Sequence, residues 1–241
     1  MKIVFSDFDG TLTLDHSVTP TFMDVLELLK KHNCEFVIVS GRSLSWGHFF
    51  LTHFSPVTAV IMEGGGVLVT RKGNGLMEEK NLVSDKELLH LETQTAALLK
   101  NFPWLSLTKD SFGRRTDRAI ELIEYDDHQK EQIMKFLKTH DIHYSASNVH
   151  INFWAGTVSK YKAVDYYLST YRPMVDLSDC LYFGDAPNDE SMFQYFENSV
   201  GPSNIDSYLP LMTHHPKIIL KGEENKGVLG VYSYLQQVFK K

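Results

Sequence analysis

The chain opens on Lys2-Ile3-Val4-Phe5-Ser6-Asp7-Phe8-Asp9-Gly10-Thr11-Leu12-Thr13, an apolar run that ends in two carboxylates one residue apart. Alternate residues of a strand project to the same side. Asp7 and Asp9 therefore share a side where the strand runs out, and Gly10 allows a sharp turn there. Two carboxylates that close repel unless a cation lies between them or one holds a proton. Asp-x-Asp-Gly is also a common turn composition. Its place after a buried-type strand, together with three later segments, favours a chemical role.

The rest of the chain alternates apolar runs with helical patterns. Strands are expected at 3–6, 35–39 and 59–62, with helices at 21–31 and 44–53 between them. That alternation predicts an α/β fold with a parallel sheet covered on both faces. Glu63-Gly64-Gly65-Gly66 separates two β-rich runs and predicts a hairpin; the spacing is wrong for a dinucleotide-binding loop. From about Leu82 the texture changes to helix 85–100, strand 118–125, helix 129–140 and a strand over 148–154. The α/β pattern then resumes with helix 159–171, strand 180–183, helix 189–196, short strands near 199–200 and 217–220, and a last helix over 227–239. The expected organisation is a Rossmann-like core of residues 1–81 and 155–241, interrupted by an inserted α+β unit at 82–154.

Composition narrows the functional classes. A formal net charge of −6 over 241 residues argues against general nucleic-acid binding. No signal-peptide pattern and no apolar run of bilayer-spanning length is seen, so no membrane association is expected and the cytoplasm is the expected compartment. The two cysteines, Cys34 and Cys180, read as buried free thiols.

Ligands of open α/β sheets bind beyond the carboxyl ends of the strands. The first strand ends at Asp7 and Asp9, the second in Ser40-Gly41-Arg42-Ser43, and the late one in Gly184-Asp185-Ala186-Pro187-Asn188-Asp189. Ser159-Lys160-Tyr161-Lys162-Ala163 opens a helix between the last two. Together these residues suit phosphoryl transfer. A carboxylate can attack phosphorus, and a second can protonate the leaving oxygen and then activate water. A hydroxyl and a lysine can hold the non-bridging oxygens, and further acids can bind magnesium.

In order and spacing, Asp7-Phe8-Asp9-Gly10-Thr11, Ser40-Gly41-Arg42, Lys160 and Gly184-Asp185 with Asn188-Asp189 resemble the four motifs of the haloacid dehalogenase superfamily. The inserted unit is similar to the cap of the subgroup containing sucrose-phosphate, trehalose-phosphate and mannosyl-phosphoglycerate phosphatases and phosphomannomutases. The resemblance implies Asp7 as nucleophile and metal ligand, and Asp9 as general acid/base with its carbonyl on the metal. It implies Ser40 and Lys160 on the phosphoryl oxygens, and Asp185 on magnesium with Asp189 and Asn188 in support. Thr11, Gly41 and Arg42 fall within the same motifs as expected substrate contacts. Two departures stand out. Tyr161 follows the lysine where many relatives have Gly, which leaves Lys162 as a competing candidate; and Glu63-Gly64-Gly65 stands where relatives often carry Glu-Asn-Gly.

In the insertion, alternation puts Asn148, His150 and Asn152 on one strand face, suited to sugar hydroxyls or simply solvated. Arg114, Arg115 and Arg118 crowd one short segment as candidate anion contacts or as a surface turn. His214-His215-Pro216 reads as an exposed loop. The expected activity is magnesium-dependent hydrolysis of a small phosphorylated metabolite, most fittingly a sugar phosphate, through an aspartyl-phosphate, by a monomer or homodimer. A phosphohexomutase and a non-catalytic binding module on the same fold are the alternatives.

Overall fold

Successive residues of the first strand bury on opposite faces of one sheet, and this fixes the architecture. The computed structural model describes residues 1–146 and 150–240. In β1 (Ile3–Ser6), Val4 packs into one apolar cluster while Ile3 and Phe5 pack into another. The same division holds in β2 (Glu35–Val39), where Phe36 and Ile38 oppose Val37 and Val39. Strands buried on both sides read as unbroken apolar runs, and helices must cover both faces.

One face carries α1 (Pro20–Lys31), α2 (Leu44–His53) and α7 (Val228–Phe239), which contribute Phe22, Phe50 and Val231. The other carries α5 (Lys160–Tyr171) and α6 (Glu190–Tyr195), which contribute Val164, Tyr167 and Phe193. The remaining strands of this sheet are β3 (Val57–Met62), β4 (Val67–Arg71), β5 (Met77–Asn81), β9 (Cys180–Phe183), β10 (Ser199–Gly201) and β11 (Ile218–Ile219). Their order is β11-β10-β9-β1-β2-β3-β4-β5. All pairs from β11 to β3 are parallel, and β3-β4-β5 run antiparallel.

The inserted α+β cap has its own three-stranded antiparallel sheet, ordered β6 (Asp117–Glu121), β8 (His150–Trp154), β7 (His143–Ala146). Helices α3 (Asp85–Asn101) and α4 (Asp127–Thr139) bury Leu91, Leu98, Ile133 and Phe136 against Ile120, Ile151 and Phe153. Each helix starts with a reciprocal capping box, Ser84 with Glu87 and Asp126 with Gln129. On the opposite sheet face Ala119, Asn152 and Ser145 lie in one row across the three strands.

Strand 118–125 is a correction: β6 ends at Glu121 and Leu122–Glu124 forms a 3-10 turn that buries Leu122 and exposes Ile123. Strands β5 and β7 carry no apolar alternation and add to the expected set. Cys34 and Cys180 are buried free thiols, their pKa values pushed up by burial to about 11 and about 12. Among the described residues, no helix is long and apolar enough to cross a membrane.

Candidate active site

Parallel pairing aligns Ser6 with Ile38 on one side and Phe183 on the other. The residues that follow β1, β2 and β9 therefore emerge at one edge of the sheet. Asp7 comes from the first, Ser40 from the second and Asp185 from the third. The turn after β1 depends on Gly10, which takes φ +77°. A Cβ at that position would overlap the carboxylate of Asp185, so the close approach of the two strand ends requires glycine.

Lys160, in the first turn of α5, is the hub. Its ammonium is buried (side chain 2% exposed) and donates to Asp7 Oδ1 at 2.7 Å and Asp189 Oδ1 at 2.6 Å. Asp189 also accepts from the Tyr182 hydroxyl on Oδ1, and on Oδ2 from the amides of Asp185 (2.9 Å) and Ala186 (3.1 Å). Both of its oxygens are thus engaged in holding the lysine and the turn after β9. Asp185 accepts from Thr11 Oγ1 (2.7 Å) and from Asn204 Nδ2 (2.8 Å), and Asn204 also donates to the Gly10 carbonyl. Lys162 instead sits exposed, its ammonium 3.3 Å from the Thr157 carbonyl. Lys160 is therefore the lysine that reaches the acids.

This floor carries three buried carboxylates against one ammonium. Burial, reinforced by the charges of Asp189 and Asp9 and opposed by Lys160, pushes Asp7 up to about 7. Burial, with the charges of Asp7 and Asp189, drives Asp185 well above the carboxylate range. Burial works against charge on Lys160, but Asp189 and Asp7 outweigh it and raise its pKa. The excess negative charge fits a divalent cation. Carboxylate oxygens of Asp7, Asp185 and Asp189 lie within 4.8 Å of one another, and an all-oxygen donor set suits magnesium.

Asp9 is half-exposed and forms a bidentate pair with Arg42, at 2.8 and 2.6 Å. Arg42 stacks on Trp46, its guanidinium carbon 4.6 Å from the ring centre. Ser40 is buried, its hydroxyl accepting from the Arg42 amide at 3.2 Å. Above these residues opens a cavity of about 1210 Å³. Asp7, Asp9, Gly41, Arg42, Asp185 and Asn188 lie on its core side. The cap side presents Ser106, Thr108, Arg114, Ser145 and Asn152.

The three expected arginines separate. Arg114 borders the cavity, but its guanidinium is taken up by Asp117 (2.9 and 2.8 Å), Asp110 (3.0 Å) and the Gly41 carbonyl (3.2 Å). Arg115 pairs with Glu79 outside the cavity, and Arg118 donates to the carbonyls of Arg115 and Asp117. Thr11 bonds Asp185 instead of facing the cavity. Asn148 lies outside the described residues, as does the side chain of His150. Tyr182 and Asn204, which no sequence motif singles out, both hold the acids.

A family model of haloacid dehalogenase-like hydrolases matches residues 4–101 and 106–231. The chain belongs to this family of hydrolases. A Buchnera aphidicola protein that carries a provisional phosphatase name is 23% identical over 94% of this chain and 93% of its own length. Among solved structures, a Thermoplasma acidophilum protein superposes with a TM-score of 0.73 at 16% identity, covering 98% of both chains. The sucrose-phosphatase of Synechocystis, solved with sucrose and phosphate, gives 0.70 at 14% identity over 98% of this hydrolase and 97% of that chain. At these identities the likeness is one of fold, which the hydrolase shares from core to cap.

Proposed function

We propose that this hydrolase is a magnesium-dependent phosphatase that cleaves a small sugar-type phosphomonoester through an aspartyl-phosphate on Asp7. The observation that carries this is the buried Asp7–Lys160 pair, with Asp7 at the floor of a large cavity. Lys160 occupies Asp7 Oδ1, which leaves Oδ2 for attack on phosphorus. Lys160 and the Ser40 hydroxyl, buried just beneath the cavity lining, would neutralise the non-bridging oxygens. Asp9 gives its proton to the departing ester oxygen, then takes one from the water that cleaves the aspartyl-phosphate and restores Asp7. Arg42 must release a carboxylate oxygen of Asp9 for either transfer. Magnesium, held by Asp7, Asp185 and the Asp9 carbonyl with Asp189 behind them, would neutralise phosphoryl charge.

The cap wall supports an alcohol rich in hydroxyl groups. Ser106, Thr108, Ser145 and Asn152 line it with hydroxyl and amide groups. Arg114, Thr108 and Asn152 donate to Asp110 or Asp117, which leaves oxygens of Thr108 and Asn152 to accept from a substrate hydroxyl. The guanidinium of Arg114 is thus taken, and Lys109 is the exposed cation among the described cap residues that line the cavity.

The test is phosphate release from a panel of phosphomonoesters, with and without magnesium, for wild type and Asp7→Asn. Metal-dependent release that falls by at least about a thousandfold in the variant is expected. Undiminished release by pure Asp7→Asn would sink the mechanism. Conversion of a hexose 1-phosphate to its 6-phosphate without release would identify a mutase.

A further inference from the structure

The turn after β3 joins three working parts of the molecule. Its first residue, Glu63, is buried and takes φ +57°, a left-handed conformation unfavourable for a residue with a Cβ. The Glu63 amide donates to the Arg42 carbonyl at 3.0 Å and the Gly64 amide to the Ser40 carbonyl at 3.1 Å. The backbone of this turn thereby grips both ends of the Ser40–Arg42 loop.

The Glu63 side chain reaches elsewhere. Its carboxylate accepts from the Leu44 amide at the start of α2 (3.0 Å), and from three donors of the cap: the amides of Arg115 (3.0 Å) and Thr116 (2.6 Å) and the Thr116 hydroxyl (2.7 Å). Beyond it, Gly65 and Gly66 lie so close to the Ser159 carbonyl and to Thr116 Oγ1 that a Cβ on either would overlap them. Ser159 caps the helix that carries Lys160. Next to the clasped residues, Arg114 donates to the Gly41 carbonyl. The cap is therefore tied to the same loop from two sides.

We propose that Glu63 is a positioning residue that couples the seating of the cap to the geometry of the Ser40–Arg42 loop, so that the loop is in register for phosphate only while the cap is clasped. This rests on the phosphate-holding role of that loop proposed above. A carboxylate suits the position because every group hydrogen-bonded to it is a donor. Glu63→Gln keeps the volume but turns an N–H₂ toward N–H donors.

The test measures two quantities on the whole chain. Amide hydrogen exchange at Arg115 and Thr116 reads the clasp, and orthophosphate affinity with magnesium, by calorimetry, reads the loop. Glu63→Gln should speed exchange at both amides at least tenfold and weaken orthophosphate binding at least tenfold. Thr116→Val, which removes one of the four bonds, should weaken binding about threefold, and it decides the matter if Glu63→Gln does not fold. Faster exchange with unchanged phosphate affinity would show a purely structural clasp and overturn the coupling. So would unchanged exchange. Wild-type protein that binds orthophosphate but cleaves no ester defeats the phosphatase assignment alone; wild-type protein that binds none defeats both.

Discussion

The floor and the cap side of the cavity share out buried charge in different ratios. On the floor, Asp7, Asp185 and Asp189 share the single ammonium of Lys160, and burial pushes Asp7 and Asp185 up. On the cap side, the single guanidinium of Arg114 lies between Asp110 and Asp117, one carboxylate charge stays in excess, and burial pushes Asp117 up to about 7 as well. Two carboxylate charges in excess on the floor suit a divalent cation, whereas on the cap side the guanidinium reaches both of its acids and holds structure together. Both regions carry acids and bases in similar numbers, so composition alone does not separate them.

Three experiments would break or sharpen that contrast. The largest effect is expected on the cap side. Arg114→Met strands the carboxylates of Asp110 and Asp117, and removing one partner of a buried pair costs about 3–5 kcal/mol. Arg115→Met, at an exposed pair with Glu79, should cost under about 1 kcal/mol. Denaturant unfolding of the two variants checks this, and equal costs would mean that Arg114 is not the structural cation.

On the floor the loss should fall on turnover. Lys160→Met should lower kcat for the best panel substrate by at least about a hundredfold, whereas Lys162→Met should stay within about twofold of wild type. Equal losses in the two would remove the distinction between the lysines.

The most gradual effect is a slope with pH. Asp7 holds its proton up to about 7 in the fold, well above an unfolded aspartate near 3.9. Between those values the folded state binds more protons than the unfolded one. Metal-free protein should therefore lose stability as pH rises from about 4 to about 7, by up to about 1.4 kcal/mol per unit from this group. Melting temperatures across that range should show the decline, and Asp7→Asn should lessen its slope, the rest coming from Asp117 and Asp185, which burial also pushes up. Magnesium should raise the melting temperature more at pH 8 than at pH 6, because protons compete for the carboxylates it needs.

Much of the floor is legible in the sequence, because strand-end motifs carry their own geometry. Asp7 and Asp9 follow an apolar strand, as does Asp185, and parallel pairing has only one way to bring such ends together. The arginines of the cap are less informative. Arg114-Arg115-Thr116-Asp117-Arg118 shows donors and one acid, but not that Asp110 folds back as a second acid on Arg114. Strand β5 gives no signal because Met77-Glu78-Glu79-Lys80-Asn81 is a polar edge with no apolar alternation. Tyr182 and Asn204 are invisible for another reason. A tyrosine inside a buried strand looks like core, and an asparagine in a loop has no pattern to read. Only tertiary packing turns them toward the acids.

The strand order has a consequence in time. Central β1 pairs with β2, made almost at once, and with β9, made only after the whole cap has been synthesised. Thr11 and Asp185, hydrogen-bonded in the finished floor, are 174 residues apart along the chain. During synthesis the acids of the first strand must wait, hydrated and harmless, while the cap closes its own local contacts. The late strand β9 is the one that draws them out of water, so the chain becomes a reagent only after most of it has been made.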